Sequence, residues 1–433
     1  MEKNHKIEKT KFLSFYFFVI YLFTSMPAIQ FSMIDMSNPF LLLIGYGLTI
    51  IAAFKYHVNY FNLRFFTILL VVICWTAAQF ILHRSYFRFS PFIILEIISV
   101  FTIIKIYRTA IFKKFEDVTY ILSIIAIIGW ILNILLKPVM MYVAQTIGMV
   151  ASGELSSSLI LYTVNTTDGF RNCGFGWEPG RTACMISIGI LFYLMRTRFN
   201  IKKKRFWIMT LCMVTTFSTT GYGIFILIFG LCYISMKRIN PLVIFSIVAA
   251  SLITLSLPFM WDKITGLTEQ ATEEGIEEIS SSLEWEATNK GQNERSFYVP
   301  QRFQGLMLSV INLQNSDFII GDGRDFTQFY INRVNDWMVK TSEGILEPIT
   351  QYGVIIAFLM YYSLYLSSKR ISKYFRINNK WLYFITFTLI NVSYNFWETP
   401  LFMAIWMIPV FIKNNYAKSK STVIFHRYRL LQQ

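Results

Sequence analysis

Two arginines and a glutamate stand in one short polar stretch, Phe170-Arg171-Asn172-Cys173-Gly174-Phe175-Gly176-Trp177-Glu178-Pro179-Gly180-Arg181-Thr182-Ala183. A guanidinium stays charged when half buried and grips phosphate oxygens as a two-pronged fork. Glu178 lies between Trp177 and Pro179, where partial desolvation suits a carboxylate to accept a proton. The same position equally suits an ion-pair anchor for the two arginines. The stretch runs straight into the apolar segment Cys184 to Leu194. Ionisable groups at such a boundary are costly unless paired or solvated, so they mark a candidate site; the bland reading is that the arginines reach out to the interface.

A second polar stretch, residues 261–345, carries Arg295, Arg302, Arg324 and Arg333 among Phe297, Tyr298, Phe303 and Phe318. Arg324 and Arg333 stand beside Asp325 and Asp336 and read as ion pairs, whereas near Arg171 and Arg181 the chain offers only Asp168 and Glu178. Arg171, Arg181, Arg295 and Arg302 are therefore the candidate substrate contacts. The stretch closes on Thr341-Ser342-Glu343-Gly344-Ile345-Leu346-Glu347-Pro348. Ser342 is placed to cap the following helix, and Glu343 and Glu347 fall one helical turn apart. Glu178 and Glu343 are the two candidate bases. Ile320-Gly321-Asp322-Gly323-Arg324 reads as a tight turn; no Lys-Ser/Thr follows it, so it is not a phosphate loop.

The elements that must position these residues are apolar. Of 433 residues 55% are hydrophobic, 41 of them Phe, and only 15% are charged, against about a quarter in soluble domains. The composition is that of an all-α, polytopic membrane protein forming a single integral membrane domain, 1–433. Apolar runs near 12–31, 39–54, 65–82, 90–106, 118–136, 182–195, 206–218, 221–236, 241–260, 346–367, 381–396 and 399–412 predict about twelve spans. The pair meeting at Ser218-Thr219-Thr220-Gly221 reads equally as one broken helix. The first run is too long for the apolar part of a signal peptide and reads as a retained span.

Net charge is +15. With the N-terminus inside, the inner segments hold about 28 of the 40 Lys and Arg, including Lys202-Lys203-Lys204-Arg205 and both tails. The excess is a topology signal and not a nucleic-acid footprint. It leaves two long outer loops, 137–181 and 261–345, and both termini inside. Pro138 to Leu161 predicts a helix lying on the membrane surface. The glutamate run 269–286 reads as a solvated face. Five scattered cysteines and four distant histidines form neither a disulfide framework nor a metal-spaced set. No nucleotide motif occurs, and no cofactor or metal is expected.

Four segments resemble the O-antigen polymerase (Wzy-type) and O-antigen ligase superfamily of bacterial membrane glycosyltransferases. They are Gly174 to Ala183 with Arg171 upstream, Phe217-Ser218-Thr219-Thr220-Gly221, Arg302 through Ile320-Gly321-Asp322-Gly323, and Ser342 to Tyr352-Gly353-Val354-Ile355. The resemblance implies a GT-C-like, metal-independent enzyme that uses an undecaprenyl-diphosphate-linked oligosaccharide at the outer face of the bacterial inner membrane, in some systems with a chain-length regulator. Ligases usually carry a His near the second loop's exit, where this chain has Ser342-Glu343. The expected activity is thus polymerisation of repeat units for O-antigen, capsule or exopolysaccharide. The alternatives are a ligase that moves finished glycan to lipid A core or protein, and a flippase for lipid-linked sugars. A flippase should bury ionisable residues at mid-membrane between repeated halves; Glu96 is the only mid-span acid, and no two-half symmetry is evident.

The charge asymmetry makes a direct prediction. Alkaline phosphatase fused after Asn289 should be active and the same reporter after Lys204 inactive; the reverse pattern would invert the topology.

Overall fold

The computed structural model describes residues 13–22, 40–84, 92–146, 149–150, 156–159, 161–165, 170–176, 178–236, 302–335, 339–341 and 343–412. The expected span 241–260, the glutamate run, Arg295, Ser342 and both chain ends lie outside the described residues. Helix makes up 75% of the structure and strand almost none, which is the all-α class expected.

The helices in chain order are α1 (Leu13–Leu22), α2 (Phe40–Lys55), α3 (Leu63–Leu82), α4 (Phe92–Tyr107), α5 (Ala110–Leu135) and α6 (Lys137–Thr146). After a small sheet come α7 (Pro179–Thr197), α8 (Lys204–Thr215) and α9 (Thr219–Met236). Then follow α10 (Arg302–Gln314), α11 (Tyr330–Asn335), α12 (Glu347–Tyr374), α13 (Leu382–Asn391), α14 (Pro400–Trp406) and α15 (Ile408–Phe411). Among the described residues four of these, α3, α5, α9 and α12, are long and apolar enough to cross a membrane.

Side-chain exposure points the same way as length. On α3 only Phe65 and Gln79 are buried, while Leu70, Ile81 and Leu82 are more than half exposed. Such a surface would aggregate in water and is ordinary against lipid tails.

Helix α7 is the opposite case. It is buried from Pro179 to Met195 apart from Arg181, with α5, α8 and α9 packed around it. An all-round apolar helix belongs at the centre. In lipid the drive for this is close packing more than water exclusion, and small residues permit it. At Gly221 on α9 an added Cβ would lie 2.4 Å from the Cβ of Ala183 on α7. The expected break near residue 218 is real: α8 stops at Thr215, Phe217 is left-handed at φ 47°, and α9 starts at Thr219.

The stretch expected to form the first outer loop differs from expectation. A helix was predicted over Pro138 to Leu161, but α6 ends at Thr146. Beyond it runs an antiparallel sheet of β1 (Met149–Val150), β2 (Ser156–Ser158) and β3 (Thr163–Asn165) in sequential order. Strands of two or three residues are too short to declare a period, so the sequence carries no signal for them.

Helix α12 is interrupted at Gly353, whose φ of 74° and ψ of 167° are open essentially to glycine alone. The chain crosses residues 318–323 there at backbone contact. Asp322 N–H donates to Thr350 O (2.7 Å), Gly323 N–H to Gln351 O (3.0 Å) and Val354 N–H to Phe318 O (2.8 Å). From α3, Trp75 Nε1 donates to Tyr352 O (2.9 Å) and Gln79 Nε2 to Gln351 O (2.7 Å). Every carbonyl the break releases at 350–352 is thus satisfied, as a buried break requires.

This crossing predicts that Gly353→Ala is severely destabilising. The conformation alone costs an alanine about 1–3 kcal/mol, and a Cβ there would lie 2.0 Å from Ile319 O. Gly223→Ala, whose Cβ meets nothing within 4 Å, should be neutral or slightly stabilising. Equal melting temperatures of the two variants in detergent would refute the crossing.

Candidate functional site

The stretch around Arg171 folds as a clasp over the start of α7. Gly174 is left-handed at φ 55°, and its N–H donates to Asn172 Oδ1 (2.9 Å). Thr182 fastens the clasp: its hydroxyl accepts from Gly176 N–H (2.8 Å) and donates to Cys173 O. β3 lies along the same stretch, with Thr163 N–H on Gly174 O (2.7 Å) and its hydroxyl on Gly176 O (2.9 Å). Phe175 is fully buried beneath.

Arg171 turns away from α7 to the end of α8. Its Nε and Nη2 donate to Thr216 O (3.5 Å) and Phe217 O (3.3 Å), and Asn172 N–H donates to Thr215 O (3.0 Å). A cation on the last carbonyls of a helix is favourable to the helix dipole. That gives Arg171 a structural task alongside any ligand contact.

Arg181 is in the first turn of α7. Its guanidinium lies over the Phe396 ring, 5.1 Å from the centroid. Its Nε is buried and makes no hydrogen bond among the described residues. Glu178 is the N-cap residue, half-buried, and its side chain makes no capping bond. Pro179 at the first helical position has no N–H to satisfy. The start of α7 therefore offers an uncapped helix N-terminus and an arginine with an unspent donor, the two things an anion needs.

Glu343 is only 1% exposed. Its carboxylate accepts from the backbone N–H groups of Ile345 and Leu346, the latter at 3.0 Å. It thereby holds the start of α12, the task the sequence assigns to Ser342. Burial pushes the Glu343 carboxyl above its ordinary range, while the amide donors pull the other way. Glu347 is also buried and accepts from Gln351 Nε2 (2.7 Å). Arg302 opens α10.

A buried ion cluster lies elsewhere. Arg324 follows Gly323 directly out of the backbone crossing and enters a pair of carboxylates. Its Nη1 is 3.0 Å from Glu96 Oε2, and its Nη2 is 2.9 Å from Glu398 Oε2. Its Nε donates to Glu398 Oε1 (3.1 Å). Tyr46 OH reaches Glu96 (3.3 Å) and Tyr352 OH reaches Glu398 (2.6 Å). The expected pairing of Arg324 with Asp325 is not formed; Asp325 instead caps a 3-10 turn through Thr327 N–H (3.1 Å). Adjacent residues in sequence point apart in extended chain, so neighbourhood in sequence misleads here.

Glu398 is brought in by a break between α13 and α14. Asn391 Oδ1 accepts from Phe396 N–H (2.9 Å), Gly344 N–H donates to Asn391 O (2.7 Å), and Trp397 Nε1 donates to Gly344 O (2.6 Å). Beside the arginine runs an apolar groove of ≈180 Å³ between α3, α4, α12 and α14, with Trp75, Ile97, Met360 and Trp406 in its walls and Arg324, Glu96 and Glu398 at its polar end. The break joins the two regions. Phe396 carries Arg181, while Trp397 and Glu398 line the groove. Two residues of extended chain span at most ~7 Å.

Sequence reading missed Glu398, Tyr352, Trp75 and Gln79. Glu398 sat in a two-residue gap between expected spans, and Asn391 and Asn395 just before it were the available signal. Glu96 was visible as a lone acid in an apolar run, but nothing local named its partner.

A removal experiment tests the clamp. Arg324→Met should destabilise the protein by about 3–5 kcal/mol, because two carboxylates lose their counter-charge in a buried place. Adding Glu96→Gln and Glu398→Gln to it should recover most of the loss in detergent melting curves. A melting temperature for Arg324→Met equal to the parent's would disprove the arrangement. Compared with known proteins, the chain matches no family model, no curated protein and no solved structure.

Proposed function

We propose that the chain polymerises lipid-linked polysaccharide repeat units at the outer face of a bacterial inner membrane. In this reading it crosses the membrane about twelve times, keeps both termini cytoplasmic and takes undecaprenyl-diphosphate-linked oligosaccharide as donor. The observation that carries the reading is Arg181: a half-buried guanidinium with an unspent buried donor, at an uncapped helix N-terminus, stacked on Phe396, whose next two residues line an apolar groove. A diphosphate on a long hydrocarbon chain needs those parts together: cation and amides for the leaving group, and an apolar channel for the chain.

The transfer breaks the bond between the glycan's anomeric carbon and the diphosphate oxygen and forms a bond from that carbon to a hydroxyl of the incoming repeat. The hydroxyl proton goes to a carboxylate, and the lipid diphosphate leaves. Glu178 is the first candidate acceptor because it is half-buried with free acceptor capacity beside Arg181. Glu343 ranks second, since its oxygens are occupied by amides. Arg171 and Arg302 complete the proposed contacts with Arg295.

One observation favours a second reading. A buried arginine between two carboxylates, lining an apolar groove, is also what a transporter of lipid-linked sugars would carry.

Glu178→Gln should lower the polymerisation rate about 10²–10⁴-fold at normal protein level, with Glu343→Gln as the matched comparison. Full activity of both would remove both carboxylates from the proton step. Arg181→Lys should lose most activity, because an ammonium cannot make the fork. Deleting the gene should collapse surface glycan to single repeats. A lipid-linked ladder persisting under a bare surface would identify a ligase, and single repeats stranded on the inner leaflet a flippase.

A further inference from the structure

At the opposite end of α7 lies a cavity that none of this uses. It measures ≈540 Å³ and is lined by Arg196, Arg198, Lys203, Lys204 and Arg205, with no carboxylate in its wall. Its volume is within the about 300–1,000 Å³ of ordinary ligand sites.

Its frame is fixed from behind. Arg196 forks onto the buried Glu116, Nε to Oε2 and Nη2 to Oε1, both at 2.6 Å. Arg205 Nη1 bridges Glu116 Oε1 (2.8 Å) and Asp117 Oδ1 (2.6 Å), and its guanidinium lies 4.6 Å from the Tyr120 ring centroid. Those two acids are consumed by those two arginines. Among the described residues no carboxylate pairs with Arg198, Lys203 or Lys204.

The turn that carries them is held in shape at a conformational cost. Arg198 and Phe199 are consecutive left-handed residues, φ 56° and 61°, a conformation disfavoured for a bulky side chain. Phe199 is wedged against Phe229 and Tyr233, and Tyr193 OH donates to Asn200 O (2.8 Å). Arg198 is thus presented by a built turn, with Lys203 and Lys204 close behind it in the chain.

An exposed apolar strip runs from the same cavity. Below Lys203 and Lys204, at intervals of about one helical turn, α8 exposes Trp207 (57%), Leu211 (51%) and Val214 (43%). A tryptophan between cations and aliphatic side chains is the pattern of a membrane interface.

We propose that this cavity binds the phosphate headgroup of an anionic phospholipid, its acyl chains lying along Trp207 and Leu211. A free phosphate would satisfy the cations but would leave the apolar strip unused. The site rests on the membrane character of the chain and is independent of the transferase reading.

The test uses the full chain in detergent with short-chain phosphatidylglycerol, phosphatidylcholine and inorganic phosphate, read by native mass spectrometry and tryptophan fluorescence. Phosphatidylglycerol should bind and phosphatidylcholine should not. Arg198→Gln/Lys203→Gln/Lys204→Gln should weaken phosphatidylglycerol by roughly 10- to 100-fold, the effect of three surface cations on an anionic lipid. Lys203→Gln/Lys204→Gln, two exposed changes outside the left-handed pair Arg198 and Phe199, should give part of that loss. Lys369→Gln/Lys373→Gln, basic residues on α12, should leave binding unchanged. Unaltered affinity in both cavity variants would overturn the site, as would an equal loss in the Lys369/Lys373 control. Displacement of the lipid by equimolar inorganic phosphate would reassign the cavity to a soluble anion and overturn the lipid assignment.

Discussion

A broken helix in an apolar interior must find partners for its released carbonyls, and much of this structure follows from how α12 does so. The break at Gly353 releases the carbonyls of residues 350–352. Water is not at hand, so the chain supplies the donors: two backbone amides from residues 322 and 323, the indole of Trp75 and the amide of Gln79. Gln79 is one of only two buried residues on an otherwise lipid-like helix. Its presence there has no explanation on α3 itself. It is explained by a helix nearly three hundred residues later in the chain.

Once residues 318–323 are bound to the break, Arg324 has nowhere else to go. It leaves the crossing and meets Glu96 from α4 and Glu398 from the second break, between α13 and α14. Those two breaks and one arginine hold four stretches of chain together: α3, α4, the 318–324 turn and the 391–398 segment. The same segment places Phe396 beneath Arg181 and the next two residues, Trp397 and Glu398, in the groove. Geometry at the start of α7 is therefore set by residues more than two hundred positions away.

What the sequence makes legible divides along this line. Class and helix positions follow from composition and apolar runs, which are local sums. The clasp does not, since nothing in the stretch names Thr182 as its fastener. The interruption near Phe217 does follow, because Ser218-Thr219-Thr220-Gly221 marks it locally. Arg181 stood out for the same reason. The clamp did not, because each of its members has a plausible local role: Arg324 beside Asp325, Glu398 before a proline-started helix, Tyr352 in an apolar run. Glu343 shows the converse. It read as a reactive acid at a loop exit, and burial with two amide donors makes it the anchor of α12. The short strands between α6 and α7 were beyond reach because two residues cannot display an alternation.

The clamp has a consequence for what Arg324 can bind. Its edges already face carboxylate oxygens on both sides, so an incoming phosphate cannot simply be added. It can only be exchanged for one of them. Affinity at that arginine is a difference between two charge-assisted contacts of similar kind, and the displaced glutamate must either swing into the groove or take up a proton. Occupancy there would therefore be coupled to acidity, weak at high pH and stronger as a carboxylate is neutralised. Arg181, stacked on Phe396 with a donor unspent, carries no such toll, and the two arginines would answer a change of pH in different ways.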